Sequence, residues 1–238
     1  MITLQDLKVE IYADGADRNA MAQAAKNPLV KGFTTNPSLT RKAGVTDYAA
    51  FGQELCSTFP AYPISFEVIA DTLPEMDRQA RLIASWGANV FVKLPITNTR
   101  GESVVPLLAP LAAAGVQCNV TALFTLEQVR AVSAALGDAV PSFISVFAGR
   151  LADAGIDPVP IMREAVAIMR PFPKQRLIWA SPREVLNAVQ AHDVGCHVIT
   201  MTNDLIAKLP TLGRDPLQFS LETVKMFHDD ARGAGFTL

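Results

Sequence analysis

The sequence predicts a (β/α)8 barrel with one extra helix beyond the eighth unit. Three observations predict it. Eight short apolar runs recur along the 238-residue chain, roughly every 20–35 residues. The segments between them carry helical periodicity and helix start signals. No G-x-G-x-x-G or G-x-x-x-x-G-K-[ST] follows any of the runs, which weakens the competing open, doubly wound sheet. Alternating strands and helices build a parallel sheet, and eight such units in 238 residues fit a closed barrel.

Taken in order, the candidate strands cover residues 7–13, 31–34, 64–68, 90–94, 116–120, 143–147, 177–180 and 197–201. A strand covered by helices reads as a continuous apolar run without alternation. Thr72-Leu-Pro-Glu75, Thr99-Arg-Gly-Glu102, Thr125-Leu-Glu-Gln128 and Ser181-Pro-Arg-Glu184 fit the capping box and predict helix starts. Pro182 stands where a helix best tolerates proline, at its first position. Gly87, Gly115, Gly137 and Gly195 fall where helices end before the next strand. A last helix, over about 217–233, carries apolar Phe219, Leu221, Val224 and Phe227. A barrel has no need of it. It packs on a neighbouring subunit or covers one barrel end.

Composition narrows the function classes. The chain is 50% hydrophobic and 18% charged, which suits one large domain with a substantial core. A net charge of −2 and the lack of any Lys/Arg run leave no electrostatic footprint for nucleic acid or an anionic membrane. Cys56, Cys118 and Cys196 form no C-x-x-C and read as small buried residues of a reducing compartment. His192, His197 and His228 include no H-x-x-x-H pair, so neither a metal nor any other cofactor is expected. There is no basic region followed by an apolar core at the N-terminus, and no apolar run of about 18–20 residues. A soluble, cytoplasmic protein is the expectation.

One strand carries a misfit. In Val90-Phe91-Val92-Lys93-Leu94-Pro95 a lysine sits inside an apolar run, where burial disfavours its charged form. Either Lys93 snorkels to solvent, or it is a desolvated amine ready to form a Schiff base with a carbonyl substrate. In barrel enzymes the site lies at the C-terminal face. Polar residues at the other strand ends are Asp14, Thr34-Thr35-Asn36, Glu67, Asn119 and Thr121, Ser145 and Phe147, then Arg150, Ser181 and Arg183. Around a lysine, these suit imine chemistry. Asp14 is the right type of base for breaking a carbon–carbon bond. Glu67 and Thr121 suit a water used in imine formation and hydrolysis. Asn36, Asn119 and Ser145 suit sugar hydroxyls. Ser181-Pro182-Arg183, read as a helix N-terminus, suits a phosphate together with Arg150.

Several blocks resemble the transaldolase family. Gly32-Phe33-Thr34-Thr35-Asn36-Pro37-Ser38 resembles G-V-T-T-N-P-[ST], and Lys93-Leu94-Pro95 resembles the Schiff-base K-[IL]-P. Asn119-Val120-Thr121 resembles N-[VL]-T. Ser145-Val146-Phe147-Ala148-Gly149-Arg150 resembles S-P-F-V-G-R, and Ala180-Ser181-Pro182-Arg183 resembles A-S-x-R. The length is similar to the small transaldolase and fructose-6-phosphate aldolase branch. The resemblance implies that Lys93 forms the Schiff base and that Asp14 is the acid/base. It also implies that Glu67 and Thr121 hold the catalytic water. Thr35, Asn36, Asn119, Ser145 and Phe147 would contact the dihydroxyacetone portion. Arg150, Ser181 and Arg183 would hold phosphate. It further implies sugar-phosphate substrates and a pentamer or decamer, with the last helix reaching a neighbour. Glu67, Ser145 and Phe147 are similar to transaldolases, where the aldolases favour glutamine, alanine and tyrosine. The resemblance therefore implies transfer of the three-carbon unit rather than its release. The family's usual D-T-A is here Asp14-Gly15-Ala16.

Overall fold

The computed structural model describes residues 2–237. Its eight strands close into one parallel barrel in sequential order, β1 pairing with both β2 and β8. They are β1 Glu10–Asp14, β2 Val30–Thr34, β3 Ile64–Glu67, β4 Val90–Pro95, β5 Cys118–Leu123, β6 Ser142–Val146, β7 Gln175–Trp179 and β8 Val198–Met201. The helices are α1 Arg18–Ala24, α2 Pro37–Lys42, α3 Tyr48–Thr58, α4 Leu73–Ala84, α5 Val105–Ala113 and α6 Leu126–Leu136. They continue with α7 Ala148–Asp153, α8 Pro158–Met169, α9 Leu186–Asp193, α10 Asn203–Lys208 and α11 Pro216–Gly233. The (β/α)8 barrel and the helix beyond it are both present.

The strands separate two buried clusters. Residues facing outward, among them Ile11, Phe33, Phe66, Val92, Val120, Ile144 and Trp179, pack against the helices in one large core. Inside the barrel, Tyr12, Phe91, Phe143, Ile178 and Val198 form a separate apolar plug. Side chains alternate across a strand with a period of two. Two residues beyond each member of the plug the same inner face therefore presents Asp14, Lys93, Ser145, Ala180 and Thr200. Apolar filling below and polar groups above thus follow from one register. Gly32 shows how tightly the lower layer is filled: a Cβ there would lie 2.5 Å from the Tyr12 ring. At the other end of the plug, Arg176 pairs with Glu10 at 2.9 Å and lies over the Phe143 ring.

Several expected boundaries are corrected. β1 begins at Glu10 rather than residue 7, because residues Leu4–Asp6 form a short 3-10 turn capped by Thr3. β5 runs on to Leu123 through an irregularity at Ala122, whose φ is +62°. Of the four expected capping boxes, the one at Thr125 and Gln128 forms as read. Thr72 caps α4 without a side-chain bond, since Glu75 turns to Arg78 instead. Residues 99–102 form a turn held by Asn98 and Asp71, and α5 starts at Val105. Ser181 starts no helix: its φ is +56°, and α9 begins at Leu186.

Candidate active site

Lys93 is only 7% exposed, which excludes snorkelling. Its Nζ donates to the Thr35 carbonyl at 2.8 Å and pairs with Glu67 Oε2 at 3.0 Å. Strand register explains the pair, because Glu67 and Lys93 stand directly opposite each other on β3 and β4. The Tyr48 hydroxyl fixes the end of β3 by accepting from the Glu67 N–H at 2.9 Å and donating to its carbonyl at 3.1 Å. Burial pushes the Tyr48 phenol up to about 12, so it stays protonated in these bonds at neutral pH.

Asp14 ends β1. Its Oδ1 accepts from Thr34 Oγ1 at 2.7 Å, and the Thr34 hydroxyl also lies 2.5 Å from Thr200 Oγ1. Burial is the largest influence on Asp14 and raises its pKa above the ordinary value. The Lys93 charge and the Thr34 hydrogen bond oppose that rise, and the Glu67 charge adds to it. A carboxyl held in this way suits proton transfer closer to neutral pH than an ordinary aspartate.

Asn119 faces Lys93 across β4 and β5. Its Nδ2 donates to Ser65 Oγ at 3.0 Å, and its Oδ1 accepts from Ser145 Oγ at 2.7 Å. This chain spans three strands and locks the Asn119 amide. Thr121, two residues further along the same face, has a buried Oγ1 with no hydrogen-bond partner among the described residues. Such an orphaned hydroxyl is costly unless a water or ligand satisfies it.

These groups surround a cavity of about 530 Å³ at the C-terminal mouth. Lys93, Asp14, Glu67, Asn36, Asn119, Thr121, Ser145, Phe147, Arg150 and Ser181 all line it, so ten of the expected residues converge there. Asn36 uses its Oδ1 to cap α2 through the Leu39 N–H at 3.0 Å, leaving its amide nitrogen to the cavity. The Arg150 guanidinium lies 5.1 Å above the Phe147 ring and makes no ion pair among the described residues.

Two expected residues stand elsewhere. The Thr35 side chain turns away from the cavity to donate to the Ser65 carbonyl at 2.8 Å, and it is the Thr35 carbonyl that serves Lys93. Arg183 does not line the cavity. Its Nε sits 3.0 Å from both Asp153 carboxylate oxygens, so the end of α7 holds the guanidinium. The expected helix N-terminus at Ser181 is replaced by a left-handed turn packed on Gly149, where a Cβ would lie 1.5 Å from the Ser181 carbonyl oxygen.

Thr34 and Thr200, read in the sequence as polar strand ends without a role, also belong to the site, and Ser65 and Tyr48 were missed there. Period-two counting would have found Ser65. It lies two residues before Glu67 on the inner face of β3. Tyr48 comes from α3 and gave no strand signal.

Among the described residues no group of three or more His, Cys, Asp or Glu side chains is placed to hold a metal ion. No helix among them is long and apolar enough to cross a membrane.

Fold and site together define a parallel barrel whose C-terminal mouth holds a buried lysine paired with one carboxylate and a second carboxylate lining the same cavity. The family profile described as Transaldolase/Fructose-6-phosphate aldolase matches residues 11–236. A protein of Dehalococcoides mccartyi named "Probable transaldolase" is 34% identical over 202 residues, covering 84% of this chain and 90% of the relative. Another so named, from Roseiflexus sp., is 37% identical over 187 residues, covering 77% and 82%. The chain belongs to the transaldolase/fructose-6-phosphate aldolase family. The crystal structure of 3-keto-L-gulonate-6-phosphate decarboxylase from Vibrio cholerae is similar with a TM-score of 0.58. At 12% identity, covering 86% of this chain and 92% of that one, it shares the fold alone.

Proposed function

We propose that this protein transfers a dihydroxyacetone unit from a ketose phosphate to an aldose phosphate through a Schiff base on Lys93. Fructose 6-phosphate and sedoheptulose 7-phosphate are suitable donors. The observation that carries this reading is the buried Lys93 amine, 3.0 Å from the Glu67 carboxylate, in a cavity that also holds Asp14.

Glu67 accepts a proton from Lys93 and frees the amine to attack the donor ketone. The resulting carbinolamine takes a proton back, loses water and becomes an iminium. Asp14 then removes the proton from the hydroxyl on the far carbon of the bond to be broken, which becomes the aldehyde carbon. That bond's electrons flow into the iminium, an aldose phosphate leaves, and an enamine stays on Lys93. The incoming aldehyde carbon is attacked by the enamine, and its oxygen takes the proton that Asp14 holds. Water positioned by Thr121 and Glu67 hydrolyses the new iminium. Asn36, Asn119 and Ser145 orient the hydroxyls of the three-carbon unit. Arg150 and Ser181 receive the phosphate, and Arg183 joins them on release from Asp153.

The choice of transfer over release rests on Phe147, whose ring lines the cavity and has no proton to give the enamine. The enamine then waits for an aldehyde. Fructose 6-phosphate supplied alone should release dihydroxyacetone slowly, and adding erythrose 4-phosphate should raise turnover at least tenfold. Rapid release without acceptor would favour a lyase.

We also propose that α11 docks on a second copy of the chain in a homo-oligomer. Leu217 is 82% exposed, Phe227 62% and Val224 60% on this one helix, an apolar face that the barrel leaves open.

A further inference from the structure

The cavity around Lys93 has a neighbour. A recess of about 270 Å³ lies on the other side of Asp14, and Asp14 and Leu39 line both. Its walls are apolar, with Ala16, Ala20, Met21, Leu39 and Ala43, and exposed Asp17, Lys42 and Asn203 form a polar rim. The Asp17 carboxylate is already engaged, capping α1 through the Ala20 N–H at 2.8 Å.

Gly15 also lines the recess, beside the catalytic carboxylate. A Cβ there would meet nothing within 4 Å, and the backbone at this position is not left-handed. Neither packing nor conformation requires glycine. Its effect is to leave the wall between Asp14 and the recess without a side chain.

We infer that this recess is a specificity subsite for the aldehyde partner, receiving a short apolar substituent. The inference rests on the Schiff-base reading, in which Asp14 handles the hydroxyl on the aldehyde-derived carbon. Whatever that carbon carries must leave Asp14 in one of two directions. One runs across the cavity towards Arg150 and Ser181 and suits a phosphate. The other runs past Gly15 into the recess, where alkyl groups lose water against alanine and methionine side chains.

Fructose 6-phosphate serves as donor in the test, and kcat/KM is measured for two acceptors, erythrose 4-phosphate and hexanal. Gly15→Leu fills the recess beside Asp14, and Ala20→Leu fills it from α1, away from the catalytic carboxylate. The wild type should use both acceptors. Each variant should lose about tenfold or more with hexanal, as expected for the loss of a methylene-sized space, while erythrose 4-phosphate changes less than about twofold. Equal losses on both acceptors, or no use of hexanal by a wild type active with erythrose 4-phosphate, would overturn the subsite. Unchanged acceptor preference with an altered oligomeric state would also overturn it, showing that the recess seats a second copy. The Lys93 adduct with fructose 6-phosphate is trapped in parallel. Its presence keeps the Schiff-base reading whatever the acceptors do, and its absence in the wild type removes both.

Discussion

Lys93 and Glu67 stand in direct register on adjacent strands, Nζ 3.0 Å from Oε2, with the two side chains only 9% and 16% exposed. In a buried pair this close each partner holds the other in place, and removing one leaves the other without its partner. Glu67→Gln keeps the size and the hydrogen bonding but cannot take a proton from the ammonium. Imine formation, followed as the rate of borohydride-trapped adduct, should slow by roughly 10²–10⁴-fold. An unchanged rate would assign the proton to another group.

Asp14 predicts a change in stability opposite to its change in activity. Burial raises its folded pKa, so its stabilising contribution is complete only below the unfolded value. That contribution is lost as pH rises through the raised folded value, because ionising the buried carboxylate costs its hydration. Asp14→Asn should therefore melt higher at pH 7, by roughly 2–4 °C per kcal/mol recovered, with the gain shrinking towards pH 3. The variant should still form the Lys93 adduct yet cleave the carbon–carbon bond about 10²–10⁴ times more slowly. A lower Tm at pH 7 would contradict the desolvation argument.

Thr34 donates to Asp14 at 2.7 Å and holds its pKa down against burial. Thr34→Val removes that donor while keeping the shape. The acidic limb of the kcat/KM profile should move to higher pH, with the alkaline plateau far less affected. A limb that stays in place would mean that the titrating group is not Asp14.

Under the proposed function, Phe147 is the residue that favours transfer over release. Its ring is held by Phe124 at 5.8 Å and by the Arg150 guanidinium at 5.1 Å. Phe147→Tyr adds a hydroxyl at the cavity wall, and the ratio of free dihydroxyacetone to transfer product should rise about tenfold. A constant ratio would remove the proton-donor argument.

Gly149 allows the turn at Ser181 to pack on α7. Since a Cβ would lie 1.5 Å from the Ser181 carbonyl oxygen, Gly149→Ala must displace that turn. A loss of about 1–3 kcal/mol is expected in denaturant melts, together with a raised KM for phosphorylated substrates. A variant with native stability and KM would show that the turn yields freely.

Much of this was legible in the sequence, for a physical reason. Strands buried on both faces leave unbroken apolar runs, and a lysine within one stands out. The inner face then repeats every second residue, so Asp14, Glu67, Lys93, Asn119, Thr121 and Ser145 fall on it together. What failed depends on tertiary geometry. Ser181-Pro-Arg-Glu184 has the letters of a capping box, but Ser181 adopts a left-handed turn that packs on Gly149, and the helix starts only at Leu186. Arg183 reads as an anion binder, but Asp153 of α7 faces it across a gap of 30 positions. Thr35 sits in the motif, but it turns its hydroxyl to Ser65 and offers Lys93 a carbonyl instead. Tyr48, from a helix one element away, has no local pattern to betray it.

The most direct measurement is borohydride reduction in the presence of fructose 6-phosphate, followed by peptide mass spectrometry. A reduced three-carbon adduct on Lys93, absent from Lys93→Met, is the predicted result. No adduct, or an adduct on another lysine, would contradict the account.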